Sequence, residues 1–202
     1  MPLIASEGEG KQRQQPPAGT HVARCVSVID LGTQPGVFGS KRKVRISWET
    51  PDETAVFDSQ KGEQPFMLSK EYTLSLYEKA NLRHDLESWR GKAFIPDELK
   101  GFDIFDLLGT PCLISVIHKP SADGSKVYAN VSSISKLAKG MTIAAQINPS
   151  VKYSIEDGAN AVFDSLPGWL QKKILDADES KNVGNTEPAE ATEAADENGV
   201  PW

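Results

Sequence analysis

Residues Pro65–Trp89 read PFMLSKEYTLSLYEKANLRHDLESW, and two different periods meet inside them. Pro65–Leu74 reads as a strand. From Ser75 onward Leu76, Tyr77, Leu82, Leu86 and Trp89 recur at roughly helical spacing, so Ser75–Trp89 reads as a helix that Gly91 ends. Two more strands are expected before this stretch. His21–Leu31 (HVARCVSVIDL) is rich in valine and isoleucine and stops at Gly32. After the loop GTQPGVFGS, Lys41–Thr50 (KRKVRISWET) alternates. Arg42, Val44, Ile46 and Trp48 fall on one face; Lys41, Lys43, Arg45 and Ser47 fall on the other. A short pairing is expected at Ala55–Phe57. Beyond Gly91, Gly101–Leu108 (GFDIFDLL) reads as a helical turn. Thr110–Lys119 and Lys126–Leu137 read as strands, with Asp123-Gly124 as the turn between them.

The order is strand, strand, strand, helix, strand, strand. This is the element order of an OB-fold, a five-stranded Greek-key barrel with a helix between strands 3 and 4. An SH3-like barrel is the competing mainly-β reading, but it usually lacks the inserted helix. The expected organisation is a flexible lead over 1–19, an OB-fold domain over 20–140, a C-terminal arm with a short helix over 141–177 and a disordered acidic tail over 178–202. Within the arm, Pro167-Gly168 interrupt Ala161–Leu175. Trp169, Leu170, Ile174 and Leu175 are expected to pack as one helical face against the barrel or a second copy, so a homo-oligomer is an open expectation. Trp48, Trp89 and Trp169 are assigned to packing.

The chain has 202 residues, 39% of them hydrophobic, and a formal charge of −6. Seven of the 28 carboxylates but one of the 22 basic residues lie from Asp178 onward, so the rest balances at 21 of each. The acidity therefore belongs to the tail and does not exclude an anionic ligand for the body. No apolar run approaches 18 residues, which speaks against a membrane span. The first residues lack a signal-peptide pattern, and Cys25 and Cys112 sit apart inside apolar runs. Both features fit buried thiols in a reducing cytoplasm.

No phosphate-binding loop, dinucleotide fingerprint or nucleophile elbow occurs. His21, His84 and His118 are scattered, and Asp103 and Asp106 read as a solvated face. The expectation is a protein with no catalytic residues, no metal and no cofactor. The positive signal is Lys41-Arg42-Lys43-Val44-Arg45, four cations within five residues. A single strand of nucleic acid needs cations along its phosphates and flat rings under its bases. Lys41, Lys43, Arg45, Lys119 and Lys126 are the candidate cations, and Phe38, Tyr72 and Tyr128 the candidate rings. If about four phosphates are neutralised, log affinity should fall against log salt with a slope near −3. A scaffold or adaptor whose small barrel binds protein is the alternative.

The tail ends EAADENGVPW. It resembles the acidic C-terminal tail of bacterial and phage single-stranded-DNA-binding proteins, in which Asp and Glu precede a short apolar tip ending in proline and an aromatic. Here Asp196 and Glu197 precede Val200-Pro201-Trp202, with Trp in place of the usual Phe. The body resembles phage-encoded OB-fold proteins of this length in GTHVARCVSVIDLGTQ, LLGTPCLISVIHK with VYANVSSISKL, and LPGWLQKKILDADES. The resemblance implies a non-enzymatic coat for single-stranded DNA in a host bacterial cytoplasm. It further implies that the tail recruits replication and recombination proteins.

Overall fold

The computed structural model describes residues 14–37 and 39–183. Its strands are β1 (Gly19–Gln34), β2 (Lys41–Asp58), β3 (Gly62–Thr73), β4 (Pro111–Pro120), β5 (Val127–Ser135) and β6 (Val151–Tyr153). They form one sheet in the order β3-β2-β1-β4-β5, each antiparallel to its neighbours, with β6 added parallel to β1. The sheet curls into an open half-barrel, mainly β, whose edge strands β3 and β5 share no ladder. Register shifts between Cys25 and Ser27 and between Asp30 and Thr33 let β1 bend. One side of β1 pairs with β2. Along the other side Gly19–Arg24 pair with β4 and Ser27–Ile29 with β6.

Helices α1 (Asn81–Arg90) and α2 (Pro96–Lys100) and a 3-10 turn (Ile104–Leu107) lie between β3 and β4. Helices α3 (Ala161–Ser165), α4 (Gly168–Leu175) and α5 (Asp178–Val183) follow β6. Inside the barrel, Val44, Ile46 and Trp48 meet Leu68, Ile114 and Ile134, and α1 contributes Leu82, Leu86 and Trp89. The rings of Trp48 and Trp89 lie 5.9 Å apart and tilted by 54°. Gly91 ends α1 in the left-handed conformation, φ 68°, and its N–H reaches Glu87 O. A second apolar cluster lies on β1 around Ile29 and Leu31, which Tyr153, Phe163, Leu170 and Ile174 cover.

Several expectations change. The helix placed at Ser75–Trp89 begins only at Asn81; Ser75–Tyr77 are irregular, and a turn at Glu78-Lys79, closed by Ala80 N–H to Tyr77 O, precedes it. The expected short pairing at Ala55–Phe57 is part of a much longer β2. The arm holds β6, which its polar sequence does not announce. In α4, Leu170 and Ile174 are buried, but Trp169 and Leu175 are exposed, so these four do not share one packed face. At about 100° per residue Leu170 and Ile174 point within about 40° of each other, while Trp169 and Leu175 stand about 100–140° away on either flank. Part of the lead is also held: His118 Nε2 lies 2.8 Å from Pro16 O and His21 Nε2 2.8 Å from Pro17 O.

The stretch assigned to the tail starts with α5, whose first turn carries Asp178 and Glu179. Acidic residues there oppose the positive helix end favourably. Glu179 accepts both the N–H and the O–H of Thr33, each at 2.7 Å. Burial acts to raise its pKa, but the Thr33 bonds and the charge of Arg42 outweigh burial, and the carboxyl is held below its ordinary value. A depressed acid contributes stability above its unfolded pKa and loses it as pH falls through the folded one. On acidification below the ordinary carboxylate range, α5 is therefore expected to leave β1. Amide exchange at Thr33, corrected for intrinsic rate between about pH 7 and about pH 3, should show protection lost before the global transition. Protection that persists until the whole chain unfolds contradicts this.

Candidate nucleic-acid interface

The outer face of β2 follows from its alternation. Val44, Ile46 and Trp48 are drawn inward by the core, so Lys41, Lys43 and Arg45 face out. Lys41 is exposed, and Lys43 and Arg45 are half-buried. Across the ladders Lys41 stands opposite Gln34, Lys43 opposite Thr73 and Arg45 opposite Glu71. Arg45 is already engaged. Its Nη1 lies 3.3 Å from Glu71 Oε1, and its guanidinium sits 4.9 Å from the centre of the Trp169 ring. The other Glu71 oxygen is 2.6 Å from Lys173 Nζ. A phosphate would have to compete with Glu71 for Arg45, whereas Lys41 and Lys43 have no carboxylate within salt-bridge distance among the described residues.

A second patch lies on the β4–β5 hairpin. Lys119 stands directly opposite Tyr128, so their side chains share a face, and both are exposed. Lys126 is exposed just before β5. The hairpin tip is ordered by Asp123, which accepts from the Ser121 and Ser125 hydroxyls and the Ser125 N–H. These bonds, the Ser121 hydroxyl first, lower its pKa to about 2. β1 separates β2 from β4, so the expected cations form two groups rather than one row.

Tyr72 is a correction. It is 4% exposed, and its hydroxyl donates to Asp85 Oδ2 at 2.7 Å, beside Lys70 on the same oxygen. Burial first, then Asp85, pushes its pKa well up. It stands opposite Val44 on the inward face and has no ring surface to offer a base. The parity of Leu68, Lys70 and Tyr72 is the sequence signal for this. Phe38, Asp196, Glu197, Val200, Pro201 and Trp202 lie outside the described residues.

Sequence reasoning missed Trp169, which is 54% exposed above Arg45. It also missed Glu49, fully buried on the outer side of β2. The Glu49 carboxylate accepts the N–H of Ile147 at 2.9 Å and the N–H and Nδ2 of Asn148 at 2.8 Å each. Arg24 adds a bond to Ala144 O. The arm is thereby strapped across the sheet before it enters β6. No local pattern marks Glu49, because its partners lie about a hundred residues away along the chain.

A cleft of about 440 Å³ opens at one end of the barrel between Val28, Val44, Leu82 and Phe102. Its charged lining mixes Arg42 and Lys100 with Asp30, Asp103 and Glu156, a poor match for a polyanion. Among the described residues no group of three or more His, Cys, Asp or Glu is arranged to hold a metal ion. None of the helices among them is long and apolar enough to cross a membrane. No protein-family model matches the chain, and a search of curated proteins finds no match.

Proposed function

We propose that the protein binds single-stranded DNA across the Lys41–Arg45 end of the outer face of β2, which the arm leaves open, as a non-enzymatic coat in phage replication or recombination within the host cytoplasm. The observation that carries this reading is the outward row Lys41, Lys43, Arg45 on the second strand of a curled sheet, with a half-exposed tryptophan beside it. The strand order β3-β2-β1-β4-β5, with α1 between β3 and β4, supports an OB-type barrel, a fold that presents this face to oligonucleotides. In this reading the acidic tip at Asp196, Glu197, Val200, Pro201 and Trp202 recruits replication and recombination proteins.

Cations along a backbone predict strong salt dependence, because each neutralised phosphate adds about −0.7 to the log–log slope on a single strand. Fluorescent oligo-dT titrated at several salt concentrations should bind in preference to duplex of equal length. Replacing Lys41 and Lys43 together by Ala should flatten the slope by about 1.4. Absence of oligo-dT binding at low salt overturns the reading and favours an adaptor that binds protein. Binding with an unchanged slope removes β2 from the site.

A further inference from the structure

Helix α4 buries Leu170 and Ile174 against β1 and leaves Trp169 more than half in water. An indole left so exposed on a helix of eight residues contributes little to the core beneath it. Its position is nonetheless fixed. Arg45 lies 4.9 Å from the ring centre, Glu71 holds Arg45, and Lys173 of the same helix holds Glu71. These contacts tie α4 to β2 and β3 and set the ring at the margin of the outer face. Lys43 is two residues from Arg45 on that face, and exposed Lys172 is one turn along α4 from Trp169. Arg45 is at the ring, and Lys43, Lys172 and Lys173 lie on the two elements, β2 and α4, that the Arg45–Trp169 contact joins.

We infer that Trp169 is a base-stacking residue and that α4 forms one wall of the path a single strand takes across the Lys41–Arg45 end of β2. The inference rests on the function proposed above and adds to it a ring contributed by the C-terminal arm. A cation behind an indole fixes its orientation and leaves ring surface for a partner. Every unpaired base has a flat face to lay on that surface, while the bases of a duplex are already stacked. The surrounding cations supply the complement to a polyanion, so the occupant is single-stranded nucleic acid and not an apolar peptide.

The test uses the full chain carrying Trp202→Phe, in which Trp169 is the exposed indole while Trp48 and Trp89 are 0% and 3% exposed. Saturation with oligo-dT should quench its emission. Trp169→Ala should weaken oligo-dT binding about 5- to 150-fold, the equivalent of about 1–3 kcal/mol per stacked base. It should leave the salt slope unchanged, and Trp169→Phe should restore most of the loss. Equal affinity in Trp169→Ala and the parent overturns this inference and leaves strand binding intact. Failure of the parent to bind oligo-dT at low salt overturns the underlying reading instead. Should Trp169→Ala not fold, the emission measurement decides alone: no quenching at saturation refutes stacking.

Discussion

Glu49→Ala is expected to destabilise the fold by about 3 kcal/mol and to free the arm from the sheet. Three donors converge on this carboxylate, from Ile147 N–H, Asn148 N–H and Asn148 Nδ2. A buried donor stripped of its acceptor costs about 1–3 kcal/mol. Full summation would overstate the effect, because Ile147 is 51% exposed and water can reach part of the strap. Glu49→Gln keeps a carbonyl acceptor and should fall between the two. Urea unfolding gives the magnitude, and proteolysis between β5 and β6 reports the release of the arm. A variant with parental stability and an equally resistant arm contradicts this account.

The neighbouring residue carries the other large effect, on the opposite face. Trp48 is 0% exposed and packs against Trp89 at the centre of the barrel. Trp48→Ala should cost about 3–5 kcal/mol through lost contacts and the cavity left behind. Trp48→Phe should cost much less. The Trp48 Nε1 is buried without a hydrogen-bond partner, so phenylalanine removes an unsatisfied donor while keeping most of the ring volume. Thermal unfolding of both variants gives the ranking. A phenylalanine variant as unstable as the alanine one would mean that indole shape, not apolar volume, holds the barrel together.

What could be read from the chain follows from the range over which each signal acts. The core alternation of Val44, Ile46 and Trp48 needs no partner to be recognised, and neither does Gly91 at the end of α1. Strand lengths were less legible. β2 runs on through Pro51 and a register shift that sequence rules treat as a stop. The candidate site was legible as a basic strand, but not in its pairing. Nothing near Arg45 announces Glu71, Lys173 or Trp169, the last two more than a hundred residues away in the chain. β6 was invisible for the same reason: a three-residue strand has too few positions to show a period, and it exists because β1 offers an edge.

That edge bears on how the polypeptide acquires its shape during synthesis. β1 leaves the ribosome more than a hundred residues ahead of Val151–Tyr153, the partner for Ser27–Ile29. Ile29 and Leu31 likewise wait for Leu170 and Ile174. Distant pairings of this kind slow the search for the native arrangement. In the interval the nascent chain displays an unpaired edge beside apolar side chains, a template for association with other chains. A fragment stopped near Gly140 would stay in that condition, so its solubility on expression would depend on chaperones that a chain carrying β6 and α4 can release.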